Sequence, residues 1–251
     1  DRLELIPQGY HPFTTASKML LLLGPTDAGK TTLARRLLQK AGEAFLLDLD
    51  PGQGALPGTF SLFLHREGRL LLVRRTLLGT LSPAGAEAKA LVAALRLARL
   101  IPPGSPAVGD TDGLLDPEYR LLQVEALNPV EVAVLGAEGL YKALAWRKDL
   151  RVRLLPPLPE ARRKTPAERR KNRQERLLAH FREAGPKLAP LEGPPLWDRL
   201  YGLLDPEGFF LGYGRLLAFG GGEGLFLTPA KGEVAKALPT RLALPTPALP
   251  G

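Results

Sequence analysis

The sequence predicts an α/β protein in which a parallel sheet is flanked by helices and followed by a small carboxyl-terminal β region. Three observations support this prediction. A glycine-rich motif at residues 24–31 lies between a strand-like apolar run and a helix-like run. Apolar strands then alternate with amphipathic helices as far as residue 155, as a parallel sheet requires. Beyond residue 185 proline and glycine become frequent and the apolar runs become short, which is typical of β structure with tight turns.

The glycine-rich motif, Gly-Pro-Thr-Asp-Ala-Gly-Lys-Thr, predicts a phosphate-binding P-loop and hence a fold of the P-loop NTPase type. Its glycines permit a tight turn that aims backbone N–H groups at phosphate oxygens. Its lysine adds a positive charge near the β- and γ-phosphates, and its threonine hydroxyl can bind Mg²⁺. A glycine turn in an ordinary strand–helix unit is the alternative. The residues predicted to bind the nucleotide are Gly24, Thr26, Asp27, Ala28, Gly29, Lys30, Thr31 and Thr32.

The elements around this motif follow from apolar periodicity. Leucine-rich runs predict a first strand at residues 18–23 and a second at 44–49. Leucines at helical spacing indicate a helix between them, at 30–41. Two β-like runs split by a Glu-Gly turn, at 60–64 and 70–73, predict a hairpin after the second strand.

The later elements alternate in the same way. An amphipathic run ended by two prolines predicts a helix at residues 84–100. The following predicted elements are a strand at 107–110, a helix at 117–127, a strand at 130–135, a helix at 140–147 and a strand at 152–155. Short β-like runs lie at 209–211, 215–219 and 225–227.

Composition excludes several classes of site. The chain has 251 residues and no cysteine, so disulfides, thiolate metal sites and a cysteine nucleophile are excluded. The three histidines, His11, His65 and His180, are too scattered to predict a zinc cluster, which leaves Mg²⁺ as the only metal to propose. No apolar run approaches the ~18 residues of a membrane helix, and the amino terminus lacks a signal-peptide pattern. We therefore expect a cytoplasmic protein without a membrane partner, and its 25 prolines and single methionine are typical of heat-adapted proteins.

The net charge of +8 is concentrated in one segment. Residues 162–176 contain eight basic residues but only two acidic ones. Thr165, Pro166 and Glu168 form a helix-start signal, and the arginines at 169, 173 and 176 then fall on one helical face. This segment is either a solvated basic helix or a lid whose arginines clamp phosphates. The predicted organisation is an amino-terminal segment at 1–14, a P-loop domain at 15–184 with a basic lid at 160–181, and a β-rich region at 185–251.

Carboxylates follow two of the predicted strands. Asp48 and Asp50 project to the same side of the second strand, at the edge where ligands bind in open α/β sheets. Asp50 is placed to accept a proton from an attacking hydroxyl, and Asp48 to support Mg²⁺ together with Thr31. A plain strand-end turn is the alternative. Asp110 ends the third strand as a Walker-B-like candidate, with Thr111 as a phosphate or hydroxyl contact, although an Asx turn explains that loop nearly as well.

Together these motifs resemble the polynucleotide 5′-hydroxyl kinase family. That family includes the RNA kinase subunit of the mRNA 3′-end cleavage and tRNA-splicing machinery and its ribosomal-RNA-processing relative. The similar segments are the P-loop at residues 24–32, the Asp-x-Gly-Gln at 50–53 with a Pro-Gly pair at 57–58, the Gly-x-x-Ser-Pro at 79–83, the Asp-Thr-x-Gly at 110–113 and the arginine-rich segment at 164–181. Two positions depart from the family pattern. Leu114 stands where the family often has a tryptophan that stacks on the terminal nucleotide, and Lys164 replaces the leading lid arginine.

The resemblance implies transfer of the γ-phosphate of ATP, with GTP as an alternative donor, to the 5′-hydroxyl end of RNA or DNA in a reaction that needs Mg²⁺. It implies that Lys30, Asp50, Arg169 and Arg173 are catalytic and that Thr31 serves the metal, to which Asp48 is assigned by its position at the strand end. It further implies that Gln53 contacts the nucleic-acid end. Thr111, Lys164 and Arg176 are the other residues predicted to bind the substrate. The sequence identifies no protein partner.

Three other functions remain open. A GTPase is disfavoured because the chain contains no Asn-Lys-x-Asp motif to read guanine. A non-catalytic nucleotide-binding scaffold would use the same P-loop, and so would a small-molecule kinase.

Overall fold

A computed structural model describes residues 18–243 of the chain. The predicted amino-terminal segment at 1–14, with His11, and the residues after 243 lie outside this part. The elements of the first sheet and its helices are β1 (Met19–Leu23), α1 (Lys30–Ala41), β2 (Ala44–Leu49), β3 (Thr59–Arg66), β4 (Arg69–Leu77), α2 (Glu87–Ala98), β5 (Ala107–Thr111), α3 (Pro117–Leu127), β6 (Glu131–Leu135), α4 (Glu138–Leu144) and β7 (Arg151–Leu155). The later elements are α5 (Pro166–His180), β8 (Gly185–Pro190), β9 (Arg199–Leu204), β10 (Phe210–Gly220), β11 (Glu223–Thr228) and β12 (Lys236–Ala243).

The first sheet has seven strands in the order β4-β3-β2-β5-β1-β6-β7. Its five strands from β2 to β7 in this order run parallel, and the hairpin of β3 and β4 extends the sheet antiparallel at one edge. The predicted α/β fold with helices on a mostly parallel sheet is therefore confirmed. Because each connection crosses over through a helix, the carboxyl ends of β1, β2 and β5 meet at one edge, where the loops after them converge.

Alternate residues of the buried strands feed two separate cores. On one face, Leu20 and Leu22 of β1 pack with the leucines of α1. On the other face, Leu21 and Leu23 pack with α2, α3 and α4. Side chains of a strand alternate between its faces, so an all-leucine strand buried on both sides is what helices on both faces require.

The second sheet is antiparallel, with the order β12-β9-β10-β11-β8. The predicted carboxyl-terminal β region is confirmed, but the sheet has more strands than were predicted. The runs predicted at 209–211 and 215–219 form one continuous strand, β10, and the strands β8, β9 and β12 were not predicted. Both β8 and β12 contain prolines and lie at the edges of the sheet, where a strand tolerates residues without an N–H donor.

The two sheets share a hydrophobic cluster. Leu200, Phe210, Tyr213 and Leu242 of the second sheet pack with Leu77 at the end of β4. The same cluster also takes in the loop after β2 and the carboxyl-terminal end of α5. None of the helices within residues 18–243 has the length and apolar character needed to cross a membrane.

Candidate active site at the carboxyl edge of the parallel sheet

The P-loop joins β1 to α1 and depends on its glycines. Gly24 has φ 143°, and a Cβ there would lie 2.3 Å from the carbonyl oxygen of Leu135. Gly29 has φ 93°, and a Cβ there would lie 2.8 Å from the side chain of Leu158. Gly29 also provides the N-cap of α1 without any side-chain hydrogen bond. The first N–H groups of the helix are therefore not capped by a side chain, which is the arrangement that binds phosphates.

Lys30 is buried at the start of α1. Its ammonium donates hydrogen bonds to the carbonyl oxygens of Gly24 and Pro25, both at 2.8 Å. Burial lowers the pKa of Lys30, and the charges of Asp110 and Asp50 oppose that shift. The positive charge is therefore held over the loop and beside two carboxylates. The predicted nucleotide contacts Thr26 and Thr32 are exposed, whereas Ala28 is buried.

Thr31 and Asp110 meet beside the P-loop, because β5 lies next to β1. The hydroxyl of Thr31 donates to Oδ2 of Asp110 at 2.6 Å. The other oxygen, Oδ1, is buried and has no hydrogen-bond partner among the described residues. Burial raises the pKa of Asp110 to about 6, the charge of Asp50 also raises it, and the bond from Thr31 opposes the shift.

A hydroxyl beside a carboxylate with a free oxygen is a donor set that suits Mg²⁺. Within residues 18–243 no group of three or more His, Cys, Asp or Glu side chains could hold a metal by itself. The residues therefore fit a magnesium ion that is coordinated mainly by nucleotide phosphates, with Thr31 and Asp110 completing the site.

Asp48, the residue predicted to act with Thr31 on the metal, lies beside Asp110 on the neighbouring strand. Its carboxylate accepts hydrogen bonds from the N–H groups of Ala55 at 2.8 Å and Asp50 at 3.2 Å. Burial raises the pKa of Asp48 to about 7, and the charge of Asp110 adds to this shift. In this structure Asp48 therefore shapes the loop after β2, while Thr31 contacts Asp110.

Asp50 starts that loop and faces a cavity. Its Oδ1 accepts hydrogen bonds from the N–H groups of Gly52 and Gln53, both at 2.8 Å. The turn that was the alternative to a functional role is thus present, and the carboxylate lines the cavity as well. Burial and the charge of Asp112 raise the pKa of Asp50 above its ordinary value, while the hydrogen bonds from Gln53 and Gly52 oppose the shift. A raised pKa makes the carboxylate a better proton acceptor.

The cavity has a volume of about 300 Å³ and brings together segments that are far apart in the sequence. It is lined by Thr26, Asp50, Gly52, Gln53, Leu81, Ser82, Pro83, Asp112, Gly113, Leu114, Arg169 and Arg173. The P-loop, the loop after β2, the Gly-x-x-Ser-Pro segment, the loop after β5 and the basic helix therefore share one pocket.

Helix α5 packs its arginine face over this pocket. Its predicted start is confirmed, because Thr165 and Glu168 form a capping box. Arg169 donates to Oδ2 of Asp27 at 2.6 Å, and the backbone N–H of Lys164 donates to the same oxygen at 2.9 Å. Burial would raise the pKa of Asp27, but these hydrogen bonds hold it below its usual value.

The other two arginines of that face also reach the site. Arg176 donates to the carbonyl oxygens of Gln53 at 2.5 Å and Gly54 at 2.6 Å. Arg173 is half-buried against the cavity, and burial with the charges of Arg170 and Arg169 lowers its pKa. The Nε of Arg169 is buried without a partner among the described residues. The remaining basic residues of the segment, including Lys164, point to solvent.

Thr111 does not line the cavity. Its hydroxyl donates to the carbonyl oxygen of Leu22 at 2.8 Å and is buried between β5 and β1. Leu114 lines the cavity at the position where the related family often has a tryptophan. Neither of two other aromatics lines it, because Tyr119 is buried in the core and Trp146 is exposed in the turn after α4.

The role of Arg120 was not predicted from the sequence. Its fully buried guanidinium donates to Oδ1 of Asp112 at 2.9 Å and to the carbonyl oxygens of Asp112 and Leu114 at 3.0 and 2.8 Å. It thereby fixes the loop after β5 to the start of α3. One signal was available, since Arg120, Val124 and Leu127 share the apolar face of α3 at helical spacing.

The family model described as mRNA cleavage and polyadenylation factor CLP1 P-loop matches residues 24–183, which contain every segment that lines the cavity. Among solved structures, the chain is similar to one titled wild-type Clp1p-Pcf11p (454–563) complex, with a TM-score of 0.74. That match has 13% identity and covers 92% of this chain and 75% of the other, so it shows the fold alone. A comparison with curated proteins gave no match.

Proposed function

The chain belongs to the mRNA cleavage and polyadenylation factor CLP1 P-loop family, and on this basis we propose that it is a polynucleotide 5′-hydroxyl kinase. The proposed reaction transfers the γ-phosphate of ATP, with GTP as an alternative donor, to the 5′-hydroxyl end of RNA or DNA. One observation carries the proposal: a single cavity brings a P-loop residue, a partly buried carboxylate and two lid arginines together. Phosphoryl transfer needs this combination of phosphate binding, proton acceptance and charge neutralisation.

The donor half of the site consists of the P-loop and α5. The N-terminus of α1 and Lys30 would bind the β- and γ-phosphates. Arg169 and Arg173 would neutralise the charge on the transferred group from the opposite side. Thr31 and Asp110 would hold Mg²⁺ with the nucleotide, and the ion would supply further charge neutralisation at the phosphate oxygens.

The acceptor half is formed by the loops after β2 and β5. Because Oδ1 of Asp50 is used by two backbone N–H groups, we assign Oδ2 as the atom that takes the proton. The hydroxyl oxygen attacks the γ-phosphorus, the bond to the β–γ bridging oxygen breaks, the proton passes to Asp50, and ADP leaves. Gln53 lines the same cavity and is assigned to the nucleic-acid end.

The test is phosphorylation of a 5′-hydroxyl oligonucleotide with γ-labelled ATP and Mg²⁺. Asp50→Asn should lower turnover by about 10²-fold or more, because the general base is lost. Binding of the nucleotide should change little. Asp198→Asn makes the same chemical change at an exposed carboxylate outside the cavity and should keep full activity. Wild-type turnover by Asp50→Asn, with an unchanged thermal transition, would exclude Asp50 as the base.

A non-catalytic nucleotide-binding role is the second candidate. It is favoured by Leu114, which lines the cavity where the related family often has a stacking tryptophan. Nucleotide binding without any labelled product would support this role. Transfer to nucleosides but not to oligonucleotides would indicate a small-molecule kinase.

A further inference from the structure

Tyr213 lies in the first half of β10, outside the cavity, and makes two hydrogen bonds to segments that line the cavity. It is fully buried. Its hydroxyl donates to the carbonyl oxygen of Pro57 at 2.7 Å, at the end of the loop that begins with Asp50. Its backbone N–H donates to Nε2 of His180 at 2.9 Å, at the last residue of α5. One residue of the second sheet is thus bonded to both the loop after β2 and the lid helix.

The surrounding packing holds the tyrosine ring in a defined position. The ring packs edge-on against Phe210 and His180, with centroid distances of 4.8 and 5.8 Å. At Gly58 a Cβ would lie 2.6 Å from the tyrosine hydroxyl, so the loop approaches this closely only because that residue is glycine. Leu56 of the loop and Leu177 of α5 complete the same cluster.

The loop and the helix also contact each other directly. Arg176 donates to the carbonyl oxygens of Gln53 and Gly54. The spacing between Asp50 and the lid arginines is therefore set at two places, at Arg176 near the cavity and at Tyr213 behind it. Phosphoryl transfer depends on such spacing, since misplacing a reacting group by about 1 Å can cost about 10²-fold in rate.

We propose that Tyr213 is a positioning residue through which the second sheet supports the active site. It sets the loop that carries the proposed base and the helix that carries the proposed lid arginines in register with each other. This inference rests on the kinase function proposed above. The second sheet would then contribute to catalysis by holding these two segments in place, without contacting either substrate.

The experiment uses Tyr213→Phe in the full chain, since this change keeps the ring and removes only the hydroxyl. Tyr201→Phe is the matched control. Tyr201 is equally buried in the same sheet, and its hydroxyl accepts one hydrogen bond, from the N–H of Leu196 at 2.6 Å, away from the cavity. We expect Tyr213→Phe to lower kcat by about 10-fold. The Kd for ATP should change less than about 2-fold, because Tyr213 does not contact the P-loop.

Amide hydrogen exchange provides a readout that does not depend on activity. Tyr213→Phe should accelerate exchange in the loop from Asp50 to Gly58, because only the hydroxyl bond to Pro57 is lost. The end of α5 should exchange as in the wild type, because the backbone N–H of residue 213 still donates to His180, and Tyr201→Phe should change neither segment. Equal kcat values and equal exchange for the two variants would overturn the inference. A wild-type chain that phosphorylates no oligonucleotide would refute the kinase proposal, while the exchange data would still decide whether the Tyr213 hydroxyl holds the loop after β2.

Discussion

At the scale of single residues, the hydrogen-bond partner of each carboxylate in the site indicates its role. Four carboxylates lie together at the ends of β2 and β5: Asp48, Asp50, Asp110 and Asp112. They share one environment, and burial raises the pKa of the first three. Their hydrogen bonds distinguish them. Asp48 holds the loop after β2, and Asp50 faces the cavity. Asp110 accepts a hydrogen bond from Thr31, and Asp112 is paired with Arg120. The different roles that we assign to these carboxylates therefore rest on their hydrogen-bond partners and not on differences between their pKa values.

The contact between Thr31 and Asp110 predicts which carboxylate serves the metal. Asp110→Asn should lower kinase activity by about 10²-fold and raise the Mg²⁺ concentration needed for half-maximal rate. Asp48→Asn should leave the Mg²⁺ dependence unchanged, because its partners are backbone N–H groups. Rates measured over a Mg²⁺ titration check this. A shifted titration for Asp48→Asn alone would instead assign the metal to Asp48.

The buried ion pair of Arg120 and Asp112 predicts a large effect on stability. Arg120→Met should destabilise the fold by about 3–5 kcal/mol, because it leaves a buried carboxylate without its cation. Lys142→Met removes the cation of an exposed pair with Glu138 and should cost less than about 1 kcal/mol. Urea denaturation of both variants measures the difference. Similar midpoints for the two would show that the buried pair adds nothing to stability.

At the scale of elements, α5 combines a local signal with a long-range docking site. Its capping box and its arginine spacing are properties of the helix itself. Its position over the cavity depends on Asp27 of the P-loop and on two carbonyl groups of the loop after β2. The repulsion between the arginines on this face of α5 is offset because Arg169 pairs with Asp27 and Arg176 donates to two carbonyl oxygens.

The docked helix predicts how arginine variants divide between rate and affinity. Arg169→Ala and Arg173→Ala should lower the single-turnover rate at saturation by about 10²-fold, since their contacts to phosphate strengthen in the transition state. Oligonucleotide affinity should fall much less. Arg170→Ala, at an exposed position of the same helix, should keep the rate and weaken affinity in a salt-dependent manner. Unchanged saturating rates for Arg169→Ala and Arg173→Ala would exclude a role of α5 in phosphoryl transfer and leave it only a role in electrostatic binding of the oligonucleotide.

At the scale of the whole molecule, the two sheets are joined through the cluster around Tyr213. His180 lies at this junction, between Phe181, Phe210 and Tyr213. Burial, with the charge of Arg75, lowers its pKa to about 4. The ring accepts a hydrogen bond at Nε2, so we assign the proton of the neutral ring to Nδ1.

His180 therefore predicts a loss of stability in acid. The pKa of His180 in the folded protein, about 4, lies below the ordinary histidine value of about 6.5. Its contribution to stability is therefore present above about pH 6.5 and is lost as pH falls towards 4. The loss should be on the order of 1–3 kcal/mol. His180→Gln keeps an acceptor that does not titrate and should flatten this part of the profile.

Thermal unfolding of both proteins from pH 7.5 to pH 4 provides the measurement. The raised pKa values of Asp48 and Asp110 act in the opposite direction, because these groups favour the folded state as they take up protons. They are common to both proteins, so the difference between the two profiles isolates His180. Superimposable profiles would show that His180 does not couple pH to stability.

The sequence by itself determined the features that rest on neighbouring residues. The bounds of α1 and α3 and the position of the P-loop were predicted as they are observed. Helix periodicity, capping and tight glycine turns depend on hydrogen bonds and contacts within a few residues, so the local pattern contains the needed information. The carboxylates at the sheet edge were also found, because strand ends in a parallel sheet meet at one edge.

Only the tertiary structure decided which distant groups meet. Thr31 and Asp110 are separated by 79 positions in the chain, and Tyr213 and Pro57 by 156. The edge strands β8 and β12 were missed for a related reason, since their prolines argue against strands unless the position at an edge is known. Such contacts depend on strand order and on the packing of one sheet against the other. The spacing of residues in one chain does not encode either of these, so the partners of Asp110 and Tyr213 became visible only in the folded molecule.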